Sequence, residues 1–348
     1  FTGDIKTNPE ADVLIMTTEI LMNYLFTQNN QGVKTVDFQI NIEEELGCVV
    51  FDEVHYINDT ERGEVWEKTI LMLPKHIQMV MLSATIDNPT GFAQWCEVSG
   101  NKEVYLCSTS HRVVPLYHYG FFTTVEALYK GIGKEMEQKV KKSVNKLIPL
   151  QSDKNVFQEE GFNKLRELTA LHKEKRIFIK MQHVLNKLVT FLRNDGKLPA
   201  ICFVFSRKKV EAFAKMITVP LFHEEEDGPK NISKECETVV RRLPNFKEYM
   251  ELPEYISLVG LLEKGIGIHH SGMIPVLREI VELMISKNYI KLLFATESFA
   301  IGLDCPIKTA VFSDINKFDG NYLRFLRSHE YTQMAGRAGR RGLDKIGH

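Results

Sequence analysis

A short apolar run that ends in two adjacent carboxylates constrains this chain more than any other feature. Residues 46–51 read Leu-Gly-Cys-Val-Val-Phe, and Asp52 and Glu53 follow directly. Such a run is typical of a strand buried on both faces of a parallel sheet, and open α/β sheets bind ligands at the carboxyl ends of these strands. One acid can then hold a metal while the other handles a proton, as nucleoside-triphosphate hydrolysis requires. A solvated loop after the strand is the alternative.

Further short apolar runs recur along the chain, and small polar or charged residues follow each of them. These runs lie at residues 13–16, 79–82, 200–205, 291–294 and 310–312. Helical patterns separate many of the runs, as at residues 209–217 and 278–285. Because strands that alternate with helices form doubly wound parallel sheets, the sequence predicts an α/β fold with ligand-binding residues along one edge of each sheet.

The middle of the chain interrupts this alternation. Residues 134–146 are charged and helical in pattern, and a long helix is predicted from Lys173 to Arg193, before Gly196 and Pro199. The sequence therefore predicts three regions. These are the C-terminal part of a first domain at 1–114, a linker with a helical preamble at 115–199, and a second domain at 200–348.

Composition excludes several classes of protein. The formal net charge of the 348 residues is −1, which gives no overall nucleic-acid signature, and no apolar run reaches the ~20 residues that span a bilayer. None of the six cysteines forms a CxxC pair. Cys48 and Cys202 lie within apolar runs, so we expect buried free thiols and an intracellular, reducing compartment, either cytoplasm or nucleus.

Two further segments carry candidate chemistry. The residues Ser83-Ala84-Thr85 follow the apolar run at 79–82, where their hydroxyl groups can bridge neighbouring strand ends or form a plain turn. Residues 333–342 read Gln-Met-Ala-Gly-Arg-Ala-Gly-Arg-Arg-Gly, so small residues alternate with arginines. Small residues let a backbone pack closely, and guanidinium groups bind phosphates in a bidentate way. The segment therefore predicts a phosphate-binding turn, with a generic basic loop as the alternative.

Together these motifs resemble those of the superfamily-two DExH-box helicases. The matching segments, in order, are Asp52-Glu53-Val54-His55, Ser83-Ala84-Thr85, 295–302 and 333–342. The closer likeness is to the superkiller-type RNA helicases that assist the RNA exosome, because residues 16–21, 265–272 and 317–320 look like signatures of that group. The resemblance covers nearly the whole chain. It implies two RecA-like doubly wound parallel-sheet domains, the first truncated at its N-terminus.

The resemblance also implies roles for residues at a nucleotide. Asp52 and Glu53 would hold Mg²⁺ through water, and Glu53 would polarise the attacking water. His55 and the segment after the second strand would couple the nucleotide state to domain closure, and the arginines of the second domain would reach the phosphates. The residues implied at ATP are Asp52, Glu53, His55, Ser83, Thr85, Gly302, Asp304, Gln333, Arg337 and Arg340.

A second set of residues is implied at the nucleic acid. The residues expected to touch its backbone are Thr17, Glu19, Ser206, Arg207, His270, Gly272 and Thr296. The segment between Asp314 and Glu330 would hold the hairpin that such enzymes wedge between strands.

The chain departs from the family pattern in two places. Asp304 stands where members of the group commonly carry asparagine, and an aspartate there can still meet a ribose hydroxyl. No Gly-x-x-x-x-Gly-Lys-Ser/Thr loop is present, and the chain does not begin with Met. We therefore expect a fragment of a longer helicase, which alone does not hydrolyse ATP.

The sequence thus predicts the motor core of an ATP-dependent RNA helicase, which uses ATP and Mg²⁺ to translocate on RNA and unwind it. The expected partners are single-stranded RNA or a 3′-tailed duplex, with an exosome-type RNA decay complex as a further candidate and no membrane. Two alternatives stay open. One is a DNA helicase of the same superfamily, and the other is a non-catalytic nucleic-acid-binding scaffold with vestigial motifs.

Overall fold

The computed structural model describes residues 8, 11–29, 41–59, 62–84, 86, 88–109, 112–222, 228–300, 305 and 307–348. The chain divides into two compact units, Phe1–Ser110 and His111–His348. Among the described helices, none combines the length and the apolar character that crossing a membrane requires.

The described part of the first unit holds a two-stranded parallel sheet and three α-helices. In chain order these elements are α1 (Thr18–Asn29), β1 (Cys48–Phe51), α2 (Gly63–Met72), β2 (Gln78–Met81) and α3 (Pro89–Gly100). Cys48 lies opposite Gln78 in the register and Phe51 lies opposite Met81, so both strands end at the same level. The segments that follow the two strands therefore leave the sheet side by side.

Strand β1 forms where the apolar run predicts it, but only one of its faces is packed. Phe51 is buried in the core of the unit, whereas Val50 is 59% exposed and Cys48 is exposed. The expected burial of Cys48 is therefore wrong, because side chains alternate along a strand and Cys48 lies on the open face. Cys202 is buried as expected. No strand is assigned to the apolar run at 13–16.

The second unit begins with an antiparallel pair of strands and three α-helices, where the sequence predicts a linker and a helical preamble. These elements are β3 (His118–Phe122), α4 (Lys134–Ser143), β4 (Lys146–Gln151), α5 (Glu159–Glu174) and α6 (Met181–Asn194). They enclose a small core that includes Phe122, Val140, Ile148 and Leu168. This pair of strands could not be predicted from the sequence. Helix α4 separates the two strands, so no tight-turn signal marks them as a hairpin.

The helix predicted from Lys173 to Arg193 begins only at Met181, as α6. Helix α5 ends at Glu174 and α6 begins at Met181, and Arg176 between them has a φ of 51°. A residue in the left-handed region cannot continue a right-handed helix, so α5 and α6 are separate helices.

The central sheet of the second unit is parallel and RecA-like, as predicted. Its elements are β5 (Ala200–Phe203), α7 (Arg207–Lys215), α8 (Gly228–Val240), α9 (Phe246–Glu251), α10 (Pro253–Leu262), β6 (Ile266–His269), α11 (Pro275–Ser286), β7 (Leu292–Ala295) and β8 (Thr309–Phe312). The strand order is β6–β7–β5–β8, and each neighbouring pair is parallel. Every residue of β5, β6 and β7 is buried, which explains why β5 and β7 read as unbroken apolar runs.

A hairpin and a helix complete the described chain. Strands β9 (Asn316–Phe318) and β10 (Leu323–Phe325) pair antiparallel, and helix α12 (Ser328–Ala335) follows. The hairpin lies within 314–330, the segment in which the resemblance implies one.

Candidate functional site

In the first unit, backbone hydrogen bonds join the segments that follow β1 and β2. The Leu82 amide donates to the Phe51 carbonyl over 2.8 Å, and the Val54 amide donates to the Leu82 carbonyl over 2.9 Å. These bonds continue the pairing past both strand ends. They set the turn that carries Asp52 and Glu53 beside the segment that begins with Ser83.

The two adjacent carboxylates lie in a turn that is open to solvent. Glu53 has a φ of 56° and a ψ of 43°, and it precedes a 3₁₀ turn, Val54–Asn58. This left-handed backbone is uncommon for a residue other than glycine and costs about 1–3 kcal/mol, a strain that clusters at functional sites. The Asp52 Oδ1 atom accepts the Glu53 amide over 3.0 Å. The Glu53 side chain is 39% exposed, so its carboxylate is accessible to water.

The buried side chain of His55 connects the acid after β1 to the hydroxyl after β2. Its Nδ1 atom lies 3.2 Å from Glu53 Oε2 and 3.3 Å from Ser83 Oγ. Its ring also stacks on Tyr56, with 4.8 Å between the ring centroids. A displacement of Ser83 therefore changes the surroundings of both His55 and Glu53.

The two nucleic-acid residues predicted in the first unit lie at the beginning of α1. The Thr17 carbonyl accepts the Ile20 amide over 3.1 Å, and Glu19 lies in the first helical turn. The Glu19 carboxylate accepts a hydrogen bond from Arg62 Nη2 over 3.0 Å. Burial acts to raise the pKa of Glu19, but hydrogen bonds from the backbone, Thr17 and Arg62 outweigh it and leave that pKa lowered. Arg62, which sequence reasoning missed, is thereby held near the helix start.

In the second unit, the predicted nucleic-acid residues follow the carboxyl ends of three neighbouring strands. Ser206 and Arg207 come after β5, His270 and Gly272 after β6, and Thr296 after β7. Since these strands are adjacent and parallel in the order β6–β7–β5, the structure brings all five residues to one edge of the sheet.

Contacts between these segments order this edge. The Arg207 Nη2 atom donates to Ser271 Oγ over 2.9 Å, and the Gly272 amide donates to His270 Nδ1 over 3.2 Å. A Cβ atom at Gly272 would lie 3.2 Å from Arg207 Cδ, so the close approach of the two segments favours glycine. A guanidinium group, hydroxyls and backbone amides thus gather at one edge, which are the donors that bind phosphate.

The adjacent histidines after β6 have separate carboxylate partners. The Nε2 atom of His269 lies 3.0 Å from Glu282, and that of His270 lies 3.4 Å from Glu211. Burial lowers the pKa of His269, against the opposing effect of Glu282. In the described part of the chain, no group of three or more histidines, cysteines or acids is placed to hold a metal ion.

Helix α12 leads into the turn that carries the predicted phosphate-binding arginines. The Arg337 Nε atom donates to the Ala300 carbonyl over 2.9 Å. Arg340 and Asp344 form a bidentate pair, with Nε–Oδ2 and Nη2–Oδ1 distances of 2.7 and 2.8 Å. The Nε2 atom of Gln333 is buried and has no hydrogen-bond partner among the described residues. Both guanidinium groups thus have internal acceptors, which a bound phosphate would have to replace or supplement.

Arg112, which sequence reasoning also missed, holds the backbone of this turn. Its Nη2 atom donates to the carbonyls of Gly336 and Ala338 over 2.8 and 2.6 Å. Both carbonyls follow the last residue of α12, Ala335, so this guanidinium holds the segment that leaves the helix. Gly339 has a φ of 93°, and a Cβ atom there would lie 2.6 Å from Val114. The segment 112–114 therefore shapes the turn that presents both arginines.

The enclosed Arg340–Asp344 pair predicts an acid-sensitive turn. The side chain of Asp344 is 3% exposed, and hydrogen bonds from Arg340 hold the pKa of its carboxyl below the ordinary value of 3.8, against the effect of burial. Such a carboxyl contributes to the stability of the fold at pH values above its ordinary pKa. This contribution is lost as the pH falls through the lowered pKa. Urea unfolding should show Asp344→Asn lowering the free energy of unfolding by about 1–3 kcal/mol at neutral pH, and by less below about pH 4.

A matched control comes from α8, where Glu237 pairs with Arg241 at the same spacing, four residues apart. The Glu237 side chain is 40% exposed, so Glu237→Gln should cost only about 0–1 kcal/mol. Equal losses in the two variants would show that burial does not set the strength of the Arg340–Asp344 pair.

The acid pair of the first unit has the donor chemistry that suits Mg²⁺. This ion prefers oxygen ligands, retains several waters and is often bound by one or two carboxylates together with substrate phosphates. Asp52 is exposed and Glu53 is partly exposed, so carboxylate oxygens of both can reach a hydrated ion. The predicted positions Thr85, Gly302 and Asp304 lie outside the described residues.

Comparison with protein families shows one matching family model, described as DEAD/DEAH box helicase. The match covers residues 3–91, which include the acid pair and Ser83.

Comparison with curated proteins shows relatives that match almost all of the chain. The DExH-box ATP-dependent RNA helicase DExH9 of Arabidopsis thaliana is 36% identical over 99% of this chain and 33% of its own length. The antiviral helicase SKI2 of Saccharomyces cerevisiae is 35% identical over 99% of this chain and 29% of its own length. The exosome RNA helicase MTR4 of Homo sapiens is 35% identical over 99% of this chain and 31% of its own length. The chain thus spans about a third of the length of these relatives.

Proposed function

We propose that the chain is a member of the superkiller-type DExH-box helicases of superfamily two and forms the motor core of an ATP-dependent RNA helicase, since it is 35–36% identical to three such proteins over 99% of its length. RNA rather than DNA is the proposed track, because the DExH9 and MTR4 relatives are named as RNA helicases. The chain contains no phosphate-binding loop of the Gly-x-x-x-x-Gly-Lys type, so ATP hydrolysis and unwinding are to be measured on the full-length protein.

The contact of His55 with both Glu53 and Ser83 carries this proposal. It joins the group proposed to orient the attacking water to the neighbouring strand end, so the nucleotide state can be communicated between them. Glu53 would accept the proton of the attacking water, a role that contributes about 10²–10⁴ in rate. Asp52 and Glu53 would hold Mg²⁺ through water, and the ion supplies neutralisation of phosphate charge when bound.

The second unit would supply the positive charge for the reaction. Arg337 and Arg340 would exchange contacts with Ala300 and Asp344 for oxygens of the transferring phosphoryl group. Gln333, whose buried amide nitrogen has no partner among the described residues, would donate to the same site. The proposed motor requires that these residues and Glu53 act on one triphosphate.

The edge formed by the ends of β5, β6 and β7 would bind the RNA backbone. The donors there are the Arg207 guanidinium, hydroxyl groups such as that of Thr296, and backbone amides. Because these groups recognise phosphate and sugar, sequence preference should be weak. Thr17 and Glu19 would contribute the corresponding contacts from the first unit.

The β9–β10 hairpin would separate strands of a duplex. Phe318, Tyr322, Leu323 and Phe325 are each more than 60% exposed. Exposed aromatic side chains provide surfaces on which bases stack. A duplex with a 3′ single-stranded tail is the proposed substrate. An RNA decay complex of the exosome type is the proposed partner, supported by the name of the human relative.

Stimulation of ATP hydrolysis by nucleic acid tests the proposal. Single-stranded RNA should stimulate the whole protein strongly, and DNA of the same length and sequence should stimulate it weakly. Equal stimulation by DNA would favour the DNA helicase, and no stimulation by either polymer would favour the non-catalytic scaffold.

A further inference from the structure

The β9–β10 hairpin packs its charged face and exposes its apolar face, which is the reverse of an ordinary surface hairpin. In the register, Phe318 lies opposite Leu323, and Lys317 lies opposite Arg324. Because neighbouring side chains alternate between faces, the apolar pair is on one face and the two cations are on the other. The apolar side chains are 62% and 68% exposed, whereas the cationic side chains are each only 15% exposed. The charged face is therefore the packed one.

Two cations directly opposite each other destabilise an antiparallel pair. A carboxylate from outside the hairpin lies between Lys317 and Arg324 and removes this repulsion. Glu330 of α12 accepts hydrogen bonds from Arg324 Nη1 and Nη2 over 2.8 and 2.9 Å, and its Oε1 atom lies 2.9 Å from Lys317 Nζ. Both strands are thus tied to the same carboxylate.

Glu330 is itself fixed at the beginning of α12. Its Oε2 atom accepts the amide of Arg327, the N-cap residue of α12, over 2.7 Å. Its side chain is 16% exposed. Burial acts to raise the pKa of Glu330, but hydrogen bonds from Arg324, the Arg327 backbone and Lys317 outweigh it and lower that pKa to about 2. The carboxylate therefore stays charged throughout the physiological pH range.

Two further acids contact the same two cations, Lys317 and Arg324. Asp319 Oδ2 lies 3.3 Å from Arg324 Nε, and Asp319 Oδ1 accepts the Asn321 and Tyr322 amides in the hairpin loop. Glu297 Oε1 lies 3.4 Å from Lys317 Nζ. Glu297 begins the 3₁₀ turn Glu297–Ala300, which follows Thr296 at the proposed RNA edge.

The far end of that 3₁₀ turn reaches the arginine turn. Ala300, its last residue, accepts the hydrogen bond of Arg337, while Glu297 at its beginning contacts Lys317. Helix α12 carries Glu330 at one end and leads into Arg337 at the other. Two separate elements therefore connect the hairpin to the residue proposed to bind phosphate.

We propose that Glu330 is a positioning residue, which holds the charged face of the hairpin on α12 so that its apolar face meets the strands to be separated. This inference rests on the proposed function. With the carboxylate removed, Lys317 and Arg324 repel each other, and the hairpin no longer keeps a fixed position relative to the arginine turn. Duplex separation should then fail while ATP turnover on single-stranded RNA continues.

The test measures duplex unwinding and ATP hydrolysis on the same preparation of the whole protein. Glu330→Gln should lower the number of base pairs separated per ATP by about tenfold or more, with single-stranded RNA stimulating ATP hydrolysis nearly as in the unmodified protein. This ratio does not depend on the fraction of molecules that fold. Glu167→Gln, which breaks an exposed pair with Lys139, is the control and should leave the ratio unchanged.

A second substitution separates loss of the anchor from general damage. Removing one of the two opposed cations relieves their repulsion, so Glu330→Gln combined with Lys317→Met should recover part of the unwinding yield per ATP. An unchanged ratio in Glu330→Gln, or a double variant no better than the single one, would overturn the positioning role. Absence of RNA-stimulated hydrolysis in the unmodified protein would instead contradict the proposed function.

Discussion

Replacing Glu53 with glutamine is expected to reduce RNA-stimulated ATP hydrolysis of the whole protein by about 10²–10⁴ while ATP binding is retained. Glutamine has nearly the same shape but cannot accept a proton from the attacking water. The Glu53 side chain is 39% exposed, and glutamine retains an oxygen that can accept a hydrogen bond from the buried His55 ring. Turnover is measured at saturating ATP and RNA, and affinity with a fluorescent ATP analogue.

The control for this variant is Glu64→Gln on helix α2 of the same unit. The Glu64 side chain is 74% exposed and pairs with Lys68, so its loss should leave turnover unchanged. Unchanged turnover in Glu53→Gln would defeat the assignment of Glu53. A loss of ATP binding equal to the loss of turnover would assign it to binding rather than to chemistry.

Replacing Arg337 with alanine should have an effect of similar or larger size. An arginine that stabilises the transferring phosphoryl group contributes about 10³–10⁵ in rate, because the charge develops mainly in the transition state. The maximal rate should therefore fall by that order while ATP affinity changes little. Arg340 forms a bidentate pair with the enclosed Asp344 carboxylate, whereas Arg337 Nε donates to the neutral Ala300 carbonyl, so the fold should tolerate the removal of Arg337 better.

Two further variants make this result specific. Arg337→Lys keeps a positive charge but lacks the planar fork, so it should recover only a small part of the rate. Arg341→Ala removes a neighbouring exposed arginine and should have little effect on the maximal rate. A full rescue by lysine, or an equal loss at Arg341, would show that the turn contributes only general positive charge.

Much of the fold could be predicted because parallel strands leave a direct trace in the sequence. Strands β5 and β7 are buried along their whole length, so they read as unbroken apolar runs with polar residues after them. Since the carboxyl ends of parallel strands share one edge, Arg207 and Thr296 could be placed together from the sequence pattern.

The parts that could not be predicted depend on contacts between distant residues. Arg112 and the Gly336 carbonyl are 224 residues apart in the chain, and nothing local to Arg112 identifies that partner. The role of Glu330 could not be predicted from the residues around it either. It depends on two cations that face each other only when β9 and β10 pair. The exposure of Cys48 could not be predicted either, since it depends on which face of β1 the helices cover.

Under the proposed function, Glu53 of the first unit and the arginines of the second would act on the same triphosphate. The most direct test is a structure of the whole protein with RNA, Mg²⁺ and a non-hydrolysable ATP analogue. We expect Glu53 to lie within hydrogen-bond reach of a water aligned with the terminal phosphate, and the Arg337 guanidinium to contact oxygens of that same phosphate. A nucleotide-bound structure in which the Arg337 guanidinium keeps its contact with the Ala300 carbonyl and is directed away from the phosphates would contradict the account.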